Sequence, residues 1–281
     1  AGRGRAAGMI DERREATGFD FDVIDFVTSD HHFGHARISE LAGRPFGSVD
    51  EMNTVMIERW NELVGPDDVV LHLGDLALGP IEQSVGLTAQ LHGRRLLVPG
   101  NHDRVSPATQ SNRAIERYRA MYEDAGWAVL PEVVDGHRRS RRLLASHYPY
   151  VGDSTGVERH SSHRPGDSGI PLLHGHTHDR EFGPHGSHEF HVGVDAFDFR
   201  PVPFEAIDRW LGSLSGARRD VPVPDEIAGL LDRLYVPSAA QAWLRGHNAN
   251  VDGARPIDLL ALGRESDVID ALMIELQGGM R

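Results

Sequence analysis

Five short apolar runs in this 281-residue chain each end in a polar motif built from Asp, Asn or His. Residues 21–28 run into Ser29-Asp30-His31-His32, and 69–73 into Gly74-Asp75. Residues 96–99 run into Gly100-Asn101-His102-Asp103, 143–146 into His147, and 171–173 into His174-Gly175-His176-Thr177-His178. Short apolar runs bounded by turn residues are the pattern of buried strands. In layered α/β folds, sites assemble at the carboxyl ends of such strands, where loops bring distant residues together. The pattern predicts an α/β fold with one site fed by several strand ends.

Between these runs the pattern turns helical. Ser48 and Glu51 have capping-box spacing, and Met52, Met56, Trp60 and Leu63 then fall on one helical face. Residues 81–91, 113–125 and 203–214 are further candidate helices, with Trp60 and Trp210 as helix-packing groups, and 129–134 and 190–194 are further candidate strands. Residues 149–169 form a long stretch of low hydrophobicity between two site motifs, readable as a substrate lid or an exposed insertion. The main domain is placed at 9–214, a Pro- and Gly-containing linker at 215–224, and a small helical domain at 225–281. Residues 1–8 read as a leader or tag remnant, with Met9 a candidate native start.

Composition narrows the chemistry. There is no cysteine, so disulfides, thiolate nucleophiles and sulfur-ligated zinc are excluded. There is no lysine either, which rules out a Schiff base or a phosphate-loop lysine. The net charge of −13 argues against broad binding to duplex nucleic acid, but bound cations would reverse the local potential for a small anionic substrate. The tail from 225 carries nine acidic and five basic residues, so it is not a basic arm. No apolar run approaches the roughly 18 residues of a membrane span, and no secretory signal opens the chain, so a cytoplasmic location is expected.

The candidate metal ligands are Asp30, His32, Asp75, Asn101, His147, His176 and His178. All are nitrogen or oxygen donors, a mixture that suits manganese, iron, zinc, cobalt or nickel better than calcium. Seven donors serve two cations if one carboxylate bridges, and Asp75, directly after a glycine at a strand end, is the candidate bridge. Water shared by two such cations loses its proton near neutral pH, so no serine or cysteine nucleophile is needed. His102 is the candidate catalytic acid or phosphoryl contact, with Asp103 holding its other ring nitrogen. His35, Arg37, His163 and Arg164 are candidate substrate contacts, as is His160, and Asp195 is a candidate orienter of a ligand histidine. His72 and His174 could support ligands or simply pack in strands.

The ordered set Asp30-His31-His32, Gly74-Asp75, Gly100-Asn101-His102-Asp103, His147 and Gly175-His176-Thr177-His178 resembles the calcineurin-like metallophosphoesterases. Residues 28–35 and Arg44-Pro45-Phe46 resemble a compact bacterial and phage branch. The resemblance spans about 21–203 and implies a two-sheet β-sandwich core flanked by helices. It implies that Asp30, His32 and His178 hold one metal, that Asn101, His147 and His176 hold the other, and that Asp75 bridges. It also implies manganese, iron, zinc or nickel as cofactors, and His102 as the histidine beside the leaving group. The expected activity is hydrolysis of a phosphoester, with phosphodiesters, nucleotides or short nucleic acid as the favoured substrates. The alternatives are a phosphomonoesterase or protein phosphatase, and a non-catalytic regulator acting through its tail. That tail resembles the toxin-binding domain of Xre/MbcA/ParS-type antitoxins through Ala242-Trp243-Leu244, Asn248, Gly253, residues 255–260 and residues 268–272. A protein partner or self-association through 225–276 is therefore expected.

Overall fold

The computed structural model describes residues 18–154, 157, 159–181, 183–216, 223–246, 248–251, 254–261 and 264–278. Residues 1–17, which include the expected leader and Met9, fall outside this set, as do residues 217–222 of the expected linker and Gly253. The chain divides into two compact units, Ala1–Asp208 and Arg209–Arg281.

In the first unit β1 (Phe19–Asp20) leads through a 3-10 turn (Phe21–Val23) to β2 (Phe26–Thr28). The expected single strand over 21–28 is thus broken, because Asp20 caps the turn by accepting the Asp22 N–H at 3.0 Å. The order continues with α1 (Ile38–Leu41), α2 (Val49–Leu63), β3 (Val69–His72), α3 (Ile81–Leu87), β4 (Arg94–Leu97), α4 (Asn112–Asp124) and β5 (Trp127–Val129). It closes with β6 (Val133–Arg138), β7 (Arg141–Ser146), β8 (Leu172–His174), β9 (Gly183–His185), β10 (Glu189–His191), β11 (Val202–Pro203) and α5 (Phe204–Gly216), which crosses the unit boundary. Residues 129–134, expected as one strand, instead end β5 and start β6 in different sheets. Pro131 lies between them and cannot donate to a ladder.

Two mixed sheets flanked by helices result, in the orders β11-β2-β3-β4-β5 and β1-β6-β7-β8-β10-β9. This is the two-sheet α/β architecture that the resemblance implies. β2 to β5 are mutually parallel, with Thr28 beside His72 and His72 beside Leu97. The motifs after β2, β3 and β4 therefore leave one edge together. In the other sheet β7 and β8 are parallel, with Ala145 beside Leu173, so His147 and the Gly175 turn also share an edge. The two edges meet through a bridge between Ser29 and Gly193 and through the His176 N–H, which donates to Asp30 Oδ2 at 3.0 Å.

α2 shows how the first core forms. Met52, Met56 and Trp60 are wholly buried on its inner face, and Trp60 meets Trp127 edge-on with ring centroids 6.3 Å apart. Leu63, expected on that face, is 42% exposed; the helix ends there, and the capping Val64 takes the buried place. Ser48 Oγ accepts the Glu51 N–H at 3.1 Å, while Glu51 returns to the N–H of Gly47 rather than that of Ser48, at 2.7 Å. Ser48→Ala should therefore lower stability by about 1 kcal/mol, read as a shifted urea midpoint with unchanged slope.

The second unit holds α6 (Asp225–Leu234), α7 (Pro237–Arg245), α8 (Pro256–Ala261) and α9 (Glu265–Gly278). Leu244, Leu259, Leu260, Val268 and Leu272 form its own core with Ile227 and Leu231. Trp243 donates its indole N–H to Glu275 at 2.7 Å. No helix among the described residues is long and apolar enough to cross a membrane.

Candidate metal centre

The loops after the strand ends are tightly wound. Asp30, His32, Asp75, His176 and His178 all have positive φ, between 55° and 72°. Such conformations cost a non-glycine residue on the order of 1–2 kcal/mol and concentrate at functional sites. Backbone hydrogen bonds hold them: the Asp30 N–H donates to the Gly74 carbonyl and the His32 N–H to the Asp75 carbonyl, both at 3.0 Å. Two glycines let the loops close. A Cβ on Gly74, at φ +87°, would lie 2.3 Å from the Gly100 nitrogen, and one on Gly175 would lie 2.4 Å from Asp30 Oδ2.

Seven side chains meet there. Asp30, His32 and His178 form one group able to hold a metal ion, and Asp30, Asp75 and His147 form another. His32 Nε2 lies 3.2 Å from His178 Nε2. His147 Nε2 lies 3.1 Å from both His176 Nδ1 and Asn101 Oδ1. Asp75 Oδ2 stands 3.5 Å from His32 Nε2 and 3.5 Å from His147 Nε2. Its Oδ1 accepts the His102 N–H at 2.9 Å.

Pairs of imidazole nitrogens this close, buried and beside carboxylates, suit a cation. Burial and His147 push His176 down to about 3, and burial together with neighbouring His178 lowers His32 well below its ordinary value. Both rings are then neutral at pH 7, the form that ligates. Burial raises Asp75, but His147, His102 and the His102 N–H outweigh it and leave the carboxyl below its ordinary value. An all nitrogen and oxygen donor set of this kind fits a transition-metal pair.

Groups behind the ligands set ring orientation. His147 Nδ1 lies 2.8 Å from the Leu73 carbonyl, which fixes the proton there and leaves Nε2 facing inward. His178 Nδ1 lies 2.8 Å from Asp195 Oδ2, and Arg44 clamps that carboxylate at 2.7 and 2.9 Å. Arg44 also donates to the carbonyls of Asp30 and His31 at 2.6 and 2.9 Å. Ser29 Oγ donates to Asp30 Oδ2 at 2.5 Å.

Other candidates fall elsewhere. Asp103 does not hold His102; it accepts the N–H groups of Asp75, Leu76 and Gly100 at 2.8–3.1 Å and ties two motif loops together. Burial and the Asp75 charge raise its pKa to about 7. His102 faces the open side of the centre, its side chain 41% exposed, with Nε2 3.9 Å from Asp75 Oδ2. His35 lies beside it, edge-on to His32 at 5.6 Å. Arg37 points to solvent and pairs with Glu40 at 3.2 Å. His163 pairs with Glu132, just before β6, at 2.7 Å, so it ties its loop to that strand, and Arg164 donates to the carbonyl of Gly152 at 2.6 Å, within the loop itself.

His31 points into the core, stacked on Phe33, with Nδ1 2.9 Å from His72 Nε2. Because His72 Nδ1 accepts the Gly74 N–H at 3.1 Å, His72 carries its proton on Nε2 and donates to His31. His174 is buried with Nδ1 2.9 Å from the Gly175 carbonyl. Sequence reasoning assigned no role to Arg44, to Asp153, whose Oδ2 lies 3.1 Å from His176 Nε2, or to Tyr148, whose ring lies 5.0 Å from those of His147 and His176. The one available signal was Arg44-Pro45-Phe46.

No protein-family model matches the chain. It is 34% identical over 183 residues to the Gene 66 protein of Mycobacterium phage L5, covering 61% of this chain and 86% of that protein. It is 32% identical over 135 residues to an uncharacterized protein of Methanocaldococcus jannaschii, covering 45% of this chain and 74% of that one. Among solved structures, a protein of unknown function from Aquifex aeolicus aligns with a TM-score of 0.49 at 22% identity, over 66% of this chain and 97% of that one.

Proposed function

The chain belongs to the family of the mycobacteriophage Gene 66 protein, and we propose that it is a metal-dependent phosphoester hydrolase that uses two divalent cations and acts on phosphodiesters or nucleotides. One observation carries this. Asp75 Oδ2 stands 3.5 Å from a histidine nitrogen of each cluster, so one carboxylate oxygen joins two sets of donors. Asp30, His32 and His178 would hold one cation, Asn101, His147 and His176 the other, with Asp75 shared. Manganese, iron, zinc and nickel suit these donors.

Bound, such a pair supplies a water that is acidic near neutral pH and positive charge for the phosphoryl oxygens. The chain's own groups do the rest. The His102 N–H pins Asp75 Oδ1, which leaves Oδ2 directed at the two histidine clusters. Asp195 and the Leu73 carbonyl hold the rings of His178 and His147 in the tautomers that ligate through Nε2. The exposed His102 imidazole is positioned to hold a phosphoryl oxygen or give a proton to the leaving oxygen. His35, next to it, adds a second polar wall on the open side.

The test is release of nitrophenol from bis-p-nitrophenyl phosphate by protein loaded with Mn²⁺, abolished by chelation and restored by the metal. A phosphodiester preference predicts slower release from p-nitrophenyl phosphate. Metal-loaded protein that releases nitrophenol from neither compound would end the proposal.

A further inference from the structure

The two histidines of the Gly175-His176-Thr177-His178 turn are each backed by a carboxylate that arginine holds, and the two carboxylates come from different parts of the chain. Behind His178 stands Asp195 with Arg44, in the core. Behind His176 stands Asp153, from the long polar stretch, with Oδ2 3.1 Å from His176 Nε2 and its side chain 1% exposed. Arg159 donates to Asp153 Oδ1 through Nε and Nη2 at 3.1 and 2.6 Å, and through its backbone N–H to Oδ2 at 3.1 Å. Arg164 adds Nη2 to Oδ2 at 3.3 Å and also donates to the Arg159 carbonyl at 3.1 Å.

The opposite edge of His176 fixes what Asp153 can do. Nδ1 faces His147 Nε2 at 3.1 Å, inside the proposed centre, so Nε2 is left to carry the proton. That nitrogen is buried without an aligned hydrogen-bond partner, and the Asp153 carboxylate is an acceptor 3.1 Å away. We propose that Asp153 is a positioning residue of the metal centre: it sets the tautomer and angle of His176 and, through Arg159, couples its own segment to cation binding at His147 and His176. This rests on the two-cation centre proposed above. It assigns the two carboxylates separate duties, Asp195 to one cation and Asp153 to the other.

The full chain, wild type and the variants Asp153→Asn, Asp153→Glu and Asp195→Asn, would be titrated with Mn²⁺ alone by calorimetry and electron paramagnetic resonance. Asp153→Asn is expected to weaken one of two equivalents by roughly 10–100-fold, as loss of an orienting partner does. Asp195→Asn should weaken the other equivalent, and Asp153→Glu, which keeps the charge, should recover part of the affinity. Trypsin gives a second readout. Within 149–169 the chain has arginine only at 159 and 164, and Pro165 blocks cleavage after Arg164. Mn²⁺ should slow cleavage after Arg159 in the wild type and not in Asp153→Asn. Two Mn²⁺ bound equally by wild type and Asp153→Asn, with equal protection, would overturn the role of Asp153 alone. A wild type that binds no second Mn²⁺ would overturn the two-cation centre itself.

Discussion

Asp75→Asn is expected to lower metal-dependent hydrolysis of bis-p-nitrophenyl phosphate by roughly 10²–10³-fold and to reduce bound Mn²⁺ from two equivalents to one. The side chain is 3% exposed and its two oxygens have different tasks, Oδ1 accepting the His102 N–H and Oδ2 lying 3.5 Å from His32 and His147. Asparagine keeps the shape and can keep the first contact. It removes the negative charge, and a neutral amide cannot bridge two cations. Elemental analysis and nitrophenol release on one preparation check both halves. The control is Asp103→Asn: Asp103 is buried beside the same loops but accepts backbone N–H groups, so its loss should appear chiefly as a lower unfolding midpoint. Asp75→Asn that keeps two Mn²⁺ and full turnover would remove the bridge.

The strand-end motifs were legible because chemistry and topology coincide there. Parallel strands send Asp30, Asp75 and Asn101 off one edge, and an apolar run followed by a polar turn marks each place. Asp195 was visible for the same reason, after Gly193-Val194. Asp103 misled because adjacency to His102 suggested a side-chain pair, whereas the turn aims its carboxylate at the backbone of residues 75, 76 and 100. Asp153 was hidden because a carboxylate in a polar stretch carries no periodic signal, and its place behind His176 arises only from folding. Strands of two or three residues such as β1, β9 and β11 are too short for alternation to show. Where an apolar run crossed Pro131, it joined strands that belong to different sheets.

Arg44→Met should cost about 3–5 kcal/mol of stability, because it strands a buried charge. Arg44 and Asp195 have side chains 0% and 2% exposed, and the guanidinium also serves the carbonyls of Asp30 and His31. Burial alone would raise Asp195, but hydrogen bonds from His178 and Arg44 hold it down to about 2, against an ordinary 3.8. A depressed carboxylate contributes stability that is present above its unfolded pKa and lost as pH falls through the folded one. The window is therefore about pH 4 down to pH 2, and the contribution is roughly 2 kcal/mol. In Arg44→Met the carboxyl loses one of its two restraining partners and its pKa rises, so this contribution shrinks. Urea unfolding of metal-free protein should then show a gap between wild type and variant that is widest near neutrality and narrows below pH 4. Adding Asp195→Leu removes the stranded charge and should return part of the stability, since an apolar pair can replace a buried ion pair at little cost. It should weaken Mn²⁺ binding further, because His178 then loses its orienting carboxylate. A gap that stays constant from pH 7 to pH 2 would mean that Arg44 stabilises the loops through the Asp30 and His31 carbonyls alone.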